Sequence, residues 1–253
     1  MARPAGPGRY HRTVTIRAVF FDVGETLVHA EPSFPELLAL TLRAEGFDVD
    51  PAMVRSKVHT VSEHFERARQ AGELWTTSME RSRRFWFGVY RTFLTELGLP
   101  FSKALAARLF DTFTDPTNYR LFDDVEACLR QLRERGLILG VVSNFEEWLE
   151  RLLESLGVSE YFDVRIISGV EGMEKPDPRL FRLALKRTGA RPEESVYVGD
   201  IPMFDTEPAA ALGMVPVLID RRGRHPDYAG PGPRITSLKD LAGAVGLPER
   251  VRT

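Results

Sequence analysis

Cysteine is almost absent from these 253 residues, Cys128 being the only one. An internal disulfide is therefore excluded, and the chain fits a reducing, cytoplasmic setting. An excess of basic charge is also missing: 34 Lys and Arg stand against 36 Asp and Glu, for a net charge of -2. Without a broad basic face for a phosphate backbone, no nucleic-acid partner is expected. No uninterrupted apolar run approaches the ~20 residues that span a bilayer, so no membrane partner is expected either. The five histidines (His11, His29, His59, His64 and His225) form no metal spacing, and no zinc site is read. Internal repeats are lacking, as is low complexity outside a Pro/Gly-rich stretch near residues 223–234. Residues 1–13 are basic but contain no apolar core, so they read as a flexible tail rather than a secretion signal.

The remainder has ordinary globular composition, 43% hydrophobic and 28% charged, and is long enough to bury a core without covalent staples. The run Ile16-Arg-Ala-Val-Phe-Phe-Asp22, stopped by Gly24, reads as a buried strand. From about Glu31 to Asn118 the texture changes. Segments Phe34–Ala44, Pro51–Gln70, Ser78–Leu97 and Ser102–Phe113 carry apolar residues at spacings of three and four, which predicts an all-helical block. After Leu121 the pattern alternates. Helices over Asp124–Arg135, Glu146–Leu156, Pro178–Thr188 and Thr206–Leu212 precede strands over Leu137–Val142, Val164–Ser168, Ser195–Val198 and Val215–Ile219. Such alternation implies βαβ units and a parallel sheet covered on both faces. The expected architecture is an α/β Rossmann-like core made of residues 14–30 and 119–253. An all-helical unit, residues 31–118, is inserted after strand one.

Ligands of an open parallel sheet sit beyond the carboxyl ends of its strands. At that edge the expected strands deliver Asp22, Ser143-Asn144, Lys175 and Asp200, with Asp205 five residues further on. Three carboxylates in one place repel one another unless a cation sits among them. An all-oxygen donor set suits Mg²⁺. A lysine supplies a point charge for an anion, and a serine at a helix start can hold its oxygens. The set reads as a phosphate site with an aspartate available as nucleophile.

These residues fall in four blocks: Phe20-Phe21-Asp22-Val23-Gly24-Glu25-Thr26-Leu27, Val141-Val142-Ser143-Asn144, Lys175-Pro176-Asp177-Pro178, and Val198-Gly199-Asp200 through Asp205 to Gly213-Met214. In order and spacing they resemble the four motifs of the haloacid dehalogenase superfamily, over roughly residues 14–222. The resemblance implies that Asp22 attacks phosphorus and forms an aspartyl-phosphate. It implies that Mg²⁺ is held by Asp22, the backbone carbonyl of Gly24 and Asp200, with Asp205 at or beside that shell. Ser143, Asn144 and Lys175 would bind the phosphoryl group of a small phosphorylated substrate, and the helical insertion would be a mobile cap. The chain departs from the family at Gly24, where phosphatases usually carry a second aspartate that protonates the leaving group. That loss predicts slow turnover. Two other readings accompany the phosphatase one. The first is 2-haloacid dehalogenation, which needs neither metal nor second aspartate; the second is a non-catalytic member that binds a phosphorylated ligand or a protein partner.

Simpler roles are expected beside these. Ser143-Asn144 doubles as the cap of a helix near Glu146, while for Asp205 a cap of the helix that follows it is the simpler alternative to the metal-site role. Lys175-Pro-Asp-Pro forms a turn and helix entry. The cluster Phe85-Trp86-Phe87, with Tyr90 and Phe93, packs inside the cap. Arg81, Arg83 and Arg84 lie on a solvated face, Glu25 points away from the chemistry, and Cys128 packs in a helix.

Overall fold

Side chains on a strand point alternately to its two faces, and strand β1 (Ala18–Phe21) uses both. Val19 and Phe21 enter one apolar layer, while Ala18 and Phe20 enter another. The computed structural model describes residues 15–247, so the expected tail over residues 1–13 lies outside the described residues. After β1 come the short strand β2 (Val28–Ala30) and helices α1 (Phe34–Ala44), α2 (Pro51–Ser56), α3 (His59–Gln70), α4 (Met79–Glu96) and α5 (Lys103–Phe113). Strand β3 (Tyr119–Leu121) leads to α6 (Val125–Glu134), β4 (Ile138–Ser143), α7 (Leu149–Ser155), β5 (Val164–Ile167) and α8 (Ser168–Glu171). The chain continues through α9 (Pro178–Thr188), β6 (Ser195–Gly199), α10 (Thr206–Ala211), β7 (Val215–Ile219), β8 (Arg234–Ile235) and α11 (Leu241–Ala244).

The six-stranded sheet runs β5-β4-β1-β6-β7-β8, every pairing parallel. One face is covered by the apolar sides of α6, α7 and α11, the other by those of α9 and α10. Helix α6 buries Val125, Cys128, Leu129 and Leu132 at spacings of three and four, the period of one helix face. Cys128 is therefore packing, and burial pushes its thiol up to about 12. The fold is the expected α/β sheet with an inserted helical unit, and the differences are local. Strand β8 follows the Pro/Gly-rich stretch and pairs with β7 over two residues. The expected helix Pro51–Gln70 breaks into α2 and α3.

Two further strands, β2 and β3, pair antiparallel where the chain leaves and re-enters the sheet layer. Between them the five helices gather an apolar cluster of their own, with Leu38, Leu42, Tyr90, Phe93, Leu109 and Phe110 at its centre. Helices α4 and α5 each begin with a serine whose hydroxyl accepts a backbone N–H of the first turn: Ser78 from Arg81 and Ser102 from Leu105. Such caps satisfy N–H groups that have no partner within the helix.

Candidate active site

Strand β1 lies between β4 and β6. Sequential connections leave it on both sides, which opens a crevice at the carboxyl edge of the sheet. Asp22, Ser143 and Asp200 stand at the ends of these three strands. Lys175, on the segment before α9, enters the same crevice and is 3% exposed. Its ammonium donates to Asp22 Oδ1 at 2.7 Å, Asp205 Oδ1 at 2.6 Å and the Tyr197 hydroxyl at 3.0 Å. Three donors therefore meet three acceptors, as burying an ammonium requires. The Ser143 hydroxyl also donates to Asp22 Oδ1, at 2.8 Å. Both contacts fall on one oxygen of Asp22, a residue that also lines the cavity of the site.

The Asn144 side chain acts one step back. Its Oδ1 accepts the Lys175 backbone N–H at 2.6 Å, and its Nδ2 donates to the Lys175 carbonyl at 2.9 Å. This two-way pairing fixes the backbone that carries the lysine. Neither Ser143 nor Asn144 caps a helix as expected, because α7 begins at Leu149 with Trp148 at the cap position. Asp205 makes no capping bond to α10 either. Its Oδ2 accepts the Ile201 N–H at 2.9 Å while Oδ1 meets Lys175. Gly199 permits this placement, since a Cβ there would lie 2.3 Å from Asp205 Cγ. The helix entry at Lys175-Pro-Asp-Pro forms as expected, with Asp177 accepting from the Arg179 N–H and Pro178 in the first turn.

Oxygens of Asp22, Asp200 and Asp205 lie within 4.8 Å of one another. Burial and the charges of Asp22 and Asp205 push the Asp200 carboxyl well above its ordinary range. Asp205 is also raised by burial, although Lys175 opposes the shift. Lys175 would be lowered by burial, but Asp205 and Asp22 outweigh this and raise it. Three carboxylates thus face one ammonium, an imbalance that a divalent cation would correct, and the donors are all oxygen. Their chemistry fits Mg²⁺.

These groups open into a cavity of about 350 Å³ that Gly24 also lines. Glu25 adopts a left-handed backbone (φ 54°). Its carboxylate turns to Arg222 at 3.0 Å and Arg224 at 3.7 Å, and Arg224 also lies 4.0 Å from Asp200. Several contributors were not anticipated from the sequence. Tyr197 had a faint signal, being a lone hydroxyl in the buried strand Ser-Val-Tyr-Val-Gly, where a phenol needs a partner. Arg224 lies in a stretch read only as low complexity. Trp86 and Tyr90, expected to pack, also line the cavity.

Comparison with known proteins agrees with this architecture. The chain belongs to the haloacid dehalogenase-like hydrolases, whose family model matches residues 16–213. It is 32% identical over 216 residues, 83% of each chain, to haloacid dehalogenase-like hydrolase domain-containing protein 3 of Homo sapiens. It is 33% identical over 217 residues to the glyceraldehyde 3-phosphate phosphatase of Methanopyrus kandleri, covering 84% of this chain and 87% of that one. The magnesium-bound HAD-hydrolase YfnB of Bacillus subtilis shares the fold, with a TM-score of 0.75 at 18% identity, covering 92% of this chain and all of that one. Among the described residues, no helix is long and apolar enough to cross a membrane.

Proposed function

We propose that the protein is a Mg²⁺-dependent phosphatase that cleaves a phosphate monoester through an aspartyl-phosphate on Asp22. The observation that carries this reading is the Asp22 carboxylate, held on one oxygen by Ser143 and Lys175 and faced by two further carboxylates. Asp22, Asp200 and Asp205, with the Gly24 carbonyl, would hold Mg²⁺, which supplies neutralisation of charge on the phosphoryl oxygens. Asp22 forms a bond to phosphorus as the ester P–O bond breaks, and the departing alkoxide takes its proton from solvent. Water then attacks the aspartyl-phosphate, its proton passes to solvent, and Asp22 is restored. Lys175 and Ser143 orient the nucleophile and receive the phosphoryl group, while Asn144 positions Lys175. Residues 31–118 act as the cap over a core of residues 14–30 and 119–253.

Gly24 favours the dehalogenase reading to one extent, since halide leaves without a proton. A 2-haloacid, however, carries a carboxylate. The lining carboxylates Asp22, Glu25, Glu146, Asp200 and Asp205 outnumber the cations Lys175 and Arg224, so in a reaction that uses no metal ion this group would meet net negative charge. A panel of phosphate esters and one 2-haloacid, assayed with Mg²⁺ and with chelator, tests the proposal. Phosphate release that needs Mg²⁺ and is lost in Asp22→Asn supports it. Metal-independent halide release, or no release from any ester, refutes it.

A further inference from the structure

A phosphate group alone would not need the cavity that opens from Asp22. Its volume of about 350 Å³ is within the ~300–1,000 Å³ of small-molecule sites. The phosphate end is acidic and polar, but much of the remaining wall is aromatic. Trp75, Trp86, Tyr90, Phe113, Trp148 and Phe204 all line it. All three tryptophans of the chain are among these six.

The rings brace one another. Trp86 stacks on Tyr90 with centroids 5.9 Å apart, Tyr90 stacks on Phe113 at 6.3 Å, and Trp75 meets Phe204 edge-on at 5.9 Å. Helix α4 and the segment before it supply Trp75, Trp86 and Tyr90. The sheet layer supplies Trp148 and Phe204, so the chamber lies between the two units. Mutually packed rings form a preorganised apolar wall that requires little ordering when a ligand arrives.

The cations on this wall already stand beside carboxylates, which outnumber them. Lys175 faces Asp22 and Asp205, and Arg224 stands beside Glu25 and Asp200. The Glu146 carboxylate accepts from the Ser82 hydroxyl and from Trp148 Nε1. Among the described residues, the lining cations Lys175 and Arg224 both lie within 4.0 Å of protein carboxylates, so a carboxylate on the substrate would lose water and compete with these for its counter-charge.

We propose that the leaving alcohol carries an uncharged aromatic or branched apolar group that seats against Trp86, Tyr90 and Trp75. Phosphoesters bearing a carboxylate are discriminated against. This proposal rests on the phosphatase reading and specifies its substrate class.

The test compares kcat/KM for 2-phenylethyl phosphate, ethyl phosphate and phosphoserine with Mg²⁺. All three leave as poor alkoxides, so the ratios report the chamber rather than leaving-group ability. Burying a ring-sized apolar group should favour 2-phenylethyl over ethyl phosphate by at least about tenfold, with phosphoserine below both. Trp86→Ala should reduce the preference. A wild-type ratio near one, or phosphoserine as the best of the three, overturns the proposal whatever the variant does. A second arm needs no turnover: 2-phenylethylphosphonate and ethylphosphonate are titrated against the fluorescence of the three cavity tryptophans. If no ester is hydrolysed, the phosphatase reading falls and this arm decides the chamber alone. Tighter binding of the phenylethyl compound then supports the apolar preference, and equal binding refutes it.

Discussion

Replacing Gly24 with aspartate should speed hydrolysis of an alkyl phosphate, and the structure permits the replacement. Gly24 lines the cavity two residues beyond Asp22 and is not among the glycines with positive φ. A Cβ built there meets no atom within 4 Å. The new carboxyl would enter a region that already holds Asp22, Asp200 and Glu25. Neighbouring negative charge raises a carboxyl pKa, which favours the protonated form that an acid catalyst needs. A positioned general acid contributes ~10²–10⁴ in rate, equivalent to about 2.7–5.4 kcal/mol of barrier at 1.36 kcal/mol per decade.

The gain should depend on the ester. An alkyl alkoxide leaves poorly without a proton and should take most of the benefit, whereas a nitrophenolate leaves readily and should take little. The assay is kcat/KM for 2-phenylethyl phosphate and nitrophenyl phosphate in wild type, Gly24→Asp and Gly24→Asn. Asparagine controls for size and polarity without an acidic proton. Equal gains on the two esters, or an equal gain from asparagine, would refute the general-acid argument. Fast alkyl-ester turnover by the wild type would refute its premise.

Three further outcomes are expected. Calorimetric titration should show Mg²⁺ binding that disappears in Asp200→Ala, because Asp200 is one of the three carboxylates whose oxygens lie within 4.8 Å of one another; equal binding by the variant would move the cation elsewhere. Asp124 is buried and accepts from both Arg221 Nη atoms, the Ser237 hydroxyl and the Leu238 N–H, so Asp124→Asn should cost about 3–5 kcal/mol and lower Tm by roughly 6–20 °C. Burial would raise the Asp124 carboxyl, but its bonds from Arg221 and Ser237 prevail and lower it from 3.8. Its contribution is therefore complete above pH 3.8 and lost as pH falls through the lower folded-state value, and a Tm gap between wild type and variant that persists in stronger acid would contradict this. Finally, the buried Glu174 carboxylate accepts from the backbone N–H groups of Trp75 and Thr76 and from the Thr76 hydroxyl, so Glu174→Ala should speed amide exchange at Trp75–Thr76 relative to β4, and unchanged exchange there would show that the contact does not hold the two units together.

The sheet was legible in the sequence because each of its central strands combines a short apolar run with a chemical stop. Val-Phe-Phe ends in Asp22, Val-Val ends in Ser143-Asn144, and Val-Gly ends in Asp200. Parallel topology then requires those stops to share one edge, so the sequence alone brings Asp22, Ser143, Asn144 and Asp200 together. The capping bonds expected of Ser143-Asn144, and weighed as the simpler alternative for Asp205, do not form for a physical reason. A short polar side chain before a helix fits a cap, but near Lys175 the stronger electrostatic partner prevails. Asp205 therefore turns inward to the ammonium, and Asn144 turns to the lysine backbone. The pairing of β2 with β3 was hidden because three-residue strands carry too little periodicity to register.

The cavity was the least legible feature, and helix periodicity explains why. Trp86, Tyr90 and Phe93 recur at spacings of four and three on α4, which establishes that they share a face. The same spacing arises whether that face meets another helix or borders an empty volume, because periodicity records which side avoids water and not what occupies it. In the structure the face does both. Phe93 is buried in the helical cluster, while Trp86 and Tyr90 border the space above Asp22. The rings that stabilise the insertion thus also form the wall a substrate would meet. A substitution there should consequently alter selectivity and packing together, whereas Gly24→Asp, whose Cβ meets no atom within 4 Å, should act on the chemistry at Asp22 and leave the aromatic wall intact.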